Sequence, residues 1–307
     1  MEDKEFEELL NRFEACRRSG RDEFFDVDDL CDIIDEYMVQ NRDVEAVDAI
    51  RYALRLHPMN PEVLVLQARL YIYHEQWDEA EQALRRMHGA FDSSDYRVCL
   101  GDLCLHRDAL DEALLHYERA VRLAYDLVPV YADIVGSLSR FRHDALAVVW
   151  AERALAAEPQ APEVLDSAAI AFSLAGHFDR AVRLAEQLVD ADPYNARSWN
   201  IVGDICHDHG QYARALEAYS FALAIQPDDT SSSINIADCH FMLNHLDEAR
   251  DLYALAVAAG DDPDDYALHQ LAVCELRLGN HDAYRQLLSR MAEHSDDPEK
   301  SDNQIII

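Results

Sequence analysis

Apolar positions recur along this chain with the spacing of amphipathic helices, and the helical segments themselves repeat about every 34 residues. Within each copy one apolar stripe falls at positions 4, 7, 8 and 11 and a second at positions 20, 24, 27 and 28. Each copy therefore predicts two helices whose stripes face one another. Leu64, Ala68, Tyr71, Ala80, Leu84 and Met87 carry both stripes in the second copy. Small residues mark the middle of the first stripe at Ala68, Gly101, Ala169, Gly203, Ala237 and Ala272, while Ile34 and Val135 fill that slot in two further copies. Alanine opens the second stripe at Ala46, Ala80, Ala113, Ala147, Ala181, Ala215 and Ala249, and Tyr284 takes the slot in the last copy. Small side chains where two helices meet let the backbones approach, and larger Tyr, Leu, Ile and Phe fill the remaining volume.

Turn chemistry falls in the gaps of this pattern. Gly176, His177, Gly210, Gly279 and Asn280 lie between the first and second helix of their copies. Pro58, Pro159, Pro193 and Pro227 follow second helices, whereas Pro61, Pro129 and Pro162 lie where the next helix begins and a missing N–H is harmless. A unit of this size cannot bury its apolar face alone, so neighbouring copies must stack into one continuous core.

The residues at these marks resemble the tetratricopeptide repeat, with its W-x2-L-G-x2-Y segment, its A-x3-F/Y-x2-A segment and its closing proline. The sixth copy carries the resemblance best, with Trp199, Val202, Gly203, Ala215, Tyr219, Ala222 and Pro227, and departs where Cys206 replaces the usual tyrosine. Other copies keep parts of the set, such as Tyr37, Ala46, Ala53 and Pro58, or Gly101, Ala113, Tyr117 and Ala120. Eight copies in register cover roughly residues 27 to 292. The resemblance implies an all-α fold, a right-handed superhelical solenoid of antiparallel helix pairs.

Three segments are expected. Residues 1–26 form an N-terminal capping helix and linker, with Phe6, Leu9, Leu10 and Phe13 as the apolar face and the Phe24-Phe25 pair as anchor. Residues 27–292 form the solenoid as one folded domain, and residues 293–307 a polar, disordered tail. Ile305, Ile306 and Ile307 read as an arbitrary end in preference to a short docking signal.

Charge narrows the partners. Sixty acidic against 27 basic side chains give a formal net charge of −33, so nucleic acid and anionic lipid surfaces should be repelled. No stretch is long and apolar enough for a membrane span, and the acidic start lacks the parts of a signal peptide, so a cytoplasmic location is expected. The odd count of seven cysteines agrees with thiols kept reduced.

In the family resembled here, first helices line the concave surface, and positions 2, 5, 9, 12 and 13 point into the groove. Acids dominate those positions in this chain, including Asp28, Asp35, Glu62, Asp95, Asp102 and Glu163, against Arg69, Arg140, Arg197 and Arg277. The resemblance therefore implies an acidic groove suited to an extended or helical protein segment carrying Lys or Arg. Asp166, Ser173, Asn200, Asp204, Asp208 and Asp238 are the candidate polar contacts, and Phe241 the apolar one. The same acids also read as a solvated face. A carboxylate-clamping variant of the family is not matched, since Asn200 is the only Lys or Asn at position 5.

Catalytic chemistry finds no constellation. No Walker motif, Gly-rich dinucleotide turn, H-E-x-x-H or C-x-x-C pair occurs. The nearest approach to a metal set is Cys206-His207-Asp208-His209 with Cys239-His240 one copy later, and core packing accounts for Cys206 and His240 at position 11. Neither a catalytic residue nor a cofactor nor a metal is expected. The expected function is a non-enzymatic protein-interaction scaffold or adaptor, monomeric or weakly dimeric. The alternative is a self-associating structural or regulatory module of a larger assembly.

Overall fold

The computed structural model describes residues 3–20, 23–40, 42–87, 91–260 and 265–295. Those residues form seventeen helices and no strand. A leading helix, α1 (Asp3–Ser19), precedes eight helix pairs. The pairs are α2 (Val27–Val39) with α3 (Asp43–Leu56), α4 (Pro61–Tyr73) with α5 (Trp77–Arg85), α6 (Ser94–His106) with α7 (Leu110–Leu123), and α8 (Leu127–Arg140) with α9 (Asp144–Ala157). They continue with α10 (Pro162–Leu174) and α11 (Phe178–Ala191), α12 (Ala196–Asp208) and α13 (Tyr212–Ile225), α14 (Thr230–Met242) and α15 (Leu246–Ala259), α16 (Tyr266–Arg277) and α17 (His281–Ser295). The fold is the expected all-α repeat of helix pairs. Two compact units result, one carrying α1 to α7 and the other α8 to α17.

In the first unit, α1 covers the apolar face of α2 and α3. Phe13 is buried, its ring 5.4 Å from Phe25 and 5.6 Å from Tyr52 in edge-on contacts. The guanidinium of Arg17 lies 5.0 Å over the Tyr52 ring and forks onto both oxygens of Asp48 at 2.6 Å. Of the Phe24-Phe25 pair only Phe25 anchors: it is 1% exposed, while Phe24 is 65% exposed and edge-on to His57. The single 33-residue step of the repeat, from Ala80 to Ala113, coincides with the short α5.

In the second unit, neighbouring helices pack in sequence order, and the first helices α8, α10 and α12 also pack side by side. α17 runs to Ser295, three residues into the tail expected from residue 293, and the rest of that tail, with Ile305 to Ile307, lies outside the described residues. No helix among the described residues is long and apolar enough to cross a membrane.

One turn joins the two helices of each pair. In every copy the amide three residues past the end of the first helix donates to the carbonyl five residues back, from Arg42 to Tyr37 O, Gln76 to Tyr71 O, Gln211 to Cys206 O and Asn280 to Glu275 O, for example, at 2.7–2.8 Å. This is a Schellman motif, which needs one left-handed residue. Gly176, Gly210 and Gly279 supply it, as the sequence suggested, yet Glu75, Asp108, Arg142 and Asn244 take the same conformation with φ of 57–65°. Side-chain caps instead mark the starts of first helices: Asn60 accepts from the amides of Glu62 and Val63, and Asp126 and Asp229 accept likewise at α8 and α14.

Small residues at position 8 do what close approach requires. A Cβ added to Gly101 would stand 2.3 Å from Tyr117 Cε1, and one added to Gly203 would stand 2.4 Å from Tyr219 Cε1. Each tyrosine ring of the second helix thus lies against bare backbone of the first. Its hydroxyl then reaches the next residue, an aspartate, in both copies.

Candidate partner-binding site

The seven candidate residues stand on first helices of the second unit, on α10, α12 and α14. Most of them turn out to be engaged within the chain. Asp166 accepts both Nε and Nη2 of Arg197 through Oδ2, at 3.1 and 2.6 Å, tying α10 to α12. Its Oδ1 is buried with no hydrogen-bond partner among the described residues. Asn200 donates to Asp229 Oδ2 at 3.3 Å and accepts from Ser232 Oγ at 2.9 Å, and Ser232 also donates to Asp229, so this network ties α12 to α14. Phe241 is half-buried beneath the guanidinium of Arg277, 4.8 Å from its ring centre. Asp238 accepts from the hydroxyls of Tyr253 and Tyr266.

Ser173, Asp204 and Asp208 converge. They line one hollow of about 400 Å³ formed between α10 and α12 and reaching Asn235 of α14. Ile170, Leu174, Ile201 and Ile205 make its apolar wall, and Tyr219 and His207 complete the lining. Ser173 is buried, with Oγ 3.2 Å from His209 Nε2. Asp204 keeps solvent-facing surface, but its Oδ1 turns inward to accept from Tyr219 Oη at 2.7 Å. Burial of that inner edge raises the Asp204 carboxyl above the ordinary aspartate range; the Tyr219 hydrogen bond opposes the rise and the charge of Asp208 adds to it. Burial raises Asp238 in the same way, against its two tyrosine donors. Desolvation and the Asp204 charge together push the Tyr219 phenol upward.

Asp208 differs from the other acids. It is the last residue of α12, its side chain is 64% exposed, and its ion-pair partner is His207, with Nδ1 3.9 Å away. Among the described residues no group of three or more His, Cys, Asp or Glu is arranged to hold a metal ion. His240 and His245 face each other with Nδ1 atoms 3.4 Å apart, and burial lowers His240 from the usual imidazole range.

Two family profiles, both described as tetratricopeptide repeat, match the chain, one over residues 65–126 and 167–230 and the other over residues 207–266. Together they span more than half of it. The chain is a tetratricopeptide-repeat protein. Its helix pairs are therefore repeats of a family of non-enzymatic interaction modules, and its coarse function is that of a protein-interaction scaffold. No curated protein sequence matches the chain. Among solved structures, a tetratricopeptide repeat protein from Parabacteroides merdae aligns with a TM-score of 0.53 at 14% identity, over 80% of this chain and 98% of that one. PilF from Pseudomonas aeruginosa aligns with a TM-score of 0.50 at 16% identity, over 67% of this chain and 94% of that one. These likenesses carry the fold.

Within this tetratricopeptide-repeat protein, sequence reasoning missed the apolar half of the hollow. Ile170 stands at position 9, where the next two copies carry Asp204 and Asp238, and it is 40% exposed. An isoleucine at a position that is acidic in neighbouring copies is the signal that was available. Ile201, Ile205 and Asn235 left no such mark.

Proposed function

We propose that this protein holds an extended or helical segment of another protein, one bearing positive charge, along the face that its first helices present. The observation that carries the reading is the hollow where Ser173, Asp204 and Asp208 meet an aliphatic wall on successive first helices. Such a mix of apolar contact area and directed polar groups suits recognition of a protein segment. Asp166, Asn200, Asp238 and Phe241 flank it in this reading, each already held in place by an intramolecular partner. The net charge of −33 supports a basic ligand, because attraction over a distance speeds encounter more than it deepens final affinity. A cytoplasmic setting and a monomeric protein belong to the same reading; the large like charge opposes self-assembly.

Selection of a random displayed peptide library on the immobilised full-length protein tests the proposal. Enriched peptides should be net basic, should bind at low salt, and should weaken by tenfold or more when ionic strength rises from about 0.05 to about 0.5 M. Replacing Asp204 and Asp208 together by Asn should weaken them and flatten that salt dependence. Enrichment of neutral or acidic peptides, or unchanged binding by the double variant, would remove this assignment.

A further inference from the structure

We infer that the hollow between α10 and α12 is a subsite for a single arginine side chain of the partner segment, its guanidinium between the carboxylates of Asp204 and Asp208. The inference rests on the scaffold reading above and adds the identity of one anchoring residue.

Asp204 and Asp208 are four residues apart on α12, so their side chains lie one above the other on the same face. No other copy repeats this: the corresponding pairs are Asp35 and Val39, Arg69 and Tyr73, Asp102 and His106, Gly136 and Arg140, Ile170 and Leu174, Asp238 and Met242, Val273 and Arg277. The fold gives no reason for Asp208. It ends α12, where a carboxylate adds to the negative pole of the helix, and it is largely exposed. Asp204 has a structural reason, the Tyr219 hydroxyl, but that donor is neutral and occupies only Oδ1. Among the described residues no arginine or lysine side chain is paired with either acid. The surrounding acidity and partial burial leave Asp204 the kind of carboxylate that gains most from an incoming cation.

The wall decides which cation. Ile170, Ile201 and Ile205 offer aliphatic surface for a methylene stem beneath the charged end. Guanidinium is more weakly hydrated than ammonium, and its planar fork of donors can meet two carboxylates at once, whereas a lysine is a compact point charge that prefers water. A leucine or isoleucine in the same hollow would strip water from two carboxylates and return nothing to them.

Three small probes on the full-length protein, with isoleucine methyl groups and aspartate carboxyls labelled for NMR, test this: acetyl-arginine amide, acetyl-lysine amide and acetyl-citrulline amide, the last a neutral isostere. The arginine probe should shift Ile170, Ile205, Asp204 and Asp208 signals saturably, and several-fold more tightly than either other probe. Asp208→Asn should weaken it about fivefold, as loss of one partly exposed ion pair does, while Glu217→Gln on α13 should leave it unchanged. Equal binding of citrulline or lysine, or arginine binding that survives Asp208→Asn, overturns the subsite. The peptide selection separates the two claims. Peptides that bind without arginine dependence leave the scaffold standing and remove the subsite. A saturable arginine probe with no peptide enriched keeps arginine recognition and removes the partner segment.

Discussion

The hydroxyl of Tyr219 donates to Oδ1 of Asp204 at 2.7 Å, joining the second helix of the sixth repeat to its first. The same bond, fifteen residues apart, joins Tyr117 to Asp102 and Tyr253 to Asp238. Every repeat with tyrosine at position 24 has aspartate at position 9. Where position 24 is apolar, position 9 is Asp35, Arg69, Gly136, Ile170 or Val273, and the single aspartate among them, Asp35, accepts from Arg69 of the next repeat at 3.1 Å instead. A buried phenol needs a partner, and the chain supplies an aspartate wherever it places a tyrosine at position 24.

That pairing separates the two roles of Asp204. Asp204→Ala removes the acceptor and should destabilise the protein by about 1–3 kcal/mol, because a buried hydroxyl is left unsatisfied. Asp204→Asn keeps an acceptor and removes a poorly solvated charge. Since folding raises the Asp204 pKa, the folded state holds that proton more tightly, and the stabilising contribution of the group is fullest at low pH and lost as pH rises through the folded value. Asp204→Asn should thus match or exceed the parent at pH 7 and lose any advantage toward about pH 4. Urea unfolding at several pH values reads both. An Asn variant clearly weaker than the parent at pH 7 would show that the charged hydrogen bond outweighs desolvation.

Gly203→Ala and Gly101→Ala should each cost roughly 1–3 kcal/mol, because the new methyl would overlap a tyrosine ring and force the ring or the helix to shift. Combining Gly203→Ala with Tyr219→Leu should recover part of the loss. If the double variant instead shows the sum of the two single losses, the ring contact is not the cause.

Glu75 holds a left-handed turn that glycine holds elsewhere in the molecule. Glu75→Gly should stabilise the first unit by about 0.5–1 kcal/mol through relief of that strain, and Gly210→Ala should destabilise the second by a similar amount. Thermal unfolding of the two variants should move in opposite directions.

Phe13→Ala should cost about 3–5 kcal/mol, since Phe13 is the ring that α1 places between Phe25 and Tyr52. Amide exchange should then speed up in α1, α2 and α3, with α14 to α17 unaffected. Phe24→Ala, by contrast, should change stability little, because that side chain faces solvent.

The repeat was legible from the residues alone because helix pairing is local: the 34-residue spacing, the Ala46-to-Ala249 series and the small residues at Gly101 and Gly203 each encode a contact made within one repeat or its neighbour. Left-handed turns at Glu75 and Arg142 were not legible because those side chains carry no preference for that conformation, and the surrounding hydrogen bonds impose it; Asp108 and Asn244 are residue types that adopt it more readily. Sequence also proposed a row of acids as a binding face, but only the packed helices separated Asp102, Asp204 and Asp238, which receive tyrosine hydroxyls, from Asp208, which ends its helix in the open. Apart from Ile170, at a position that is acidic in the next two repeats, the hollow belongs to the tertiary structure. Ile170, Ile205 and Asp208 lie on two helices about one repeat apart, and nothing in the order of residues states how deep the space between two packed helices will be; side-chain volumes and the angle of approach decide that only once the repeats are stacked.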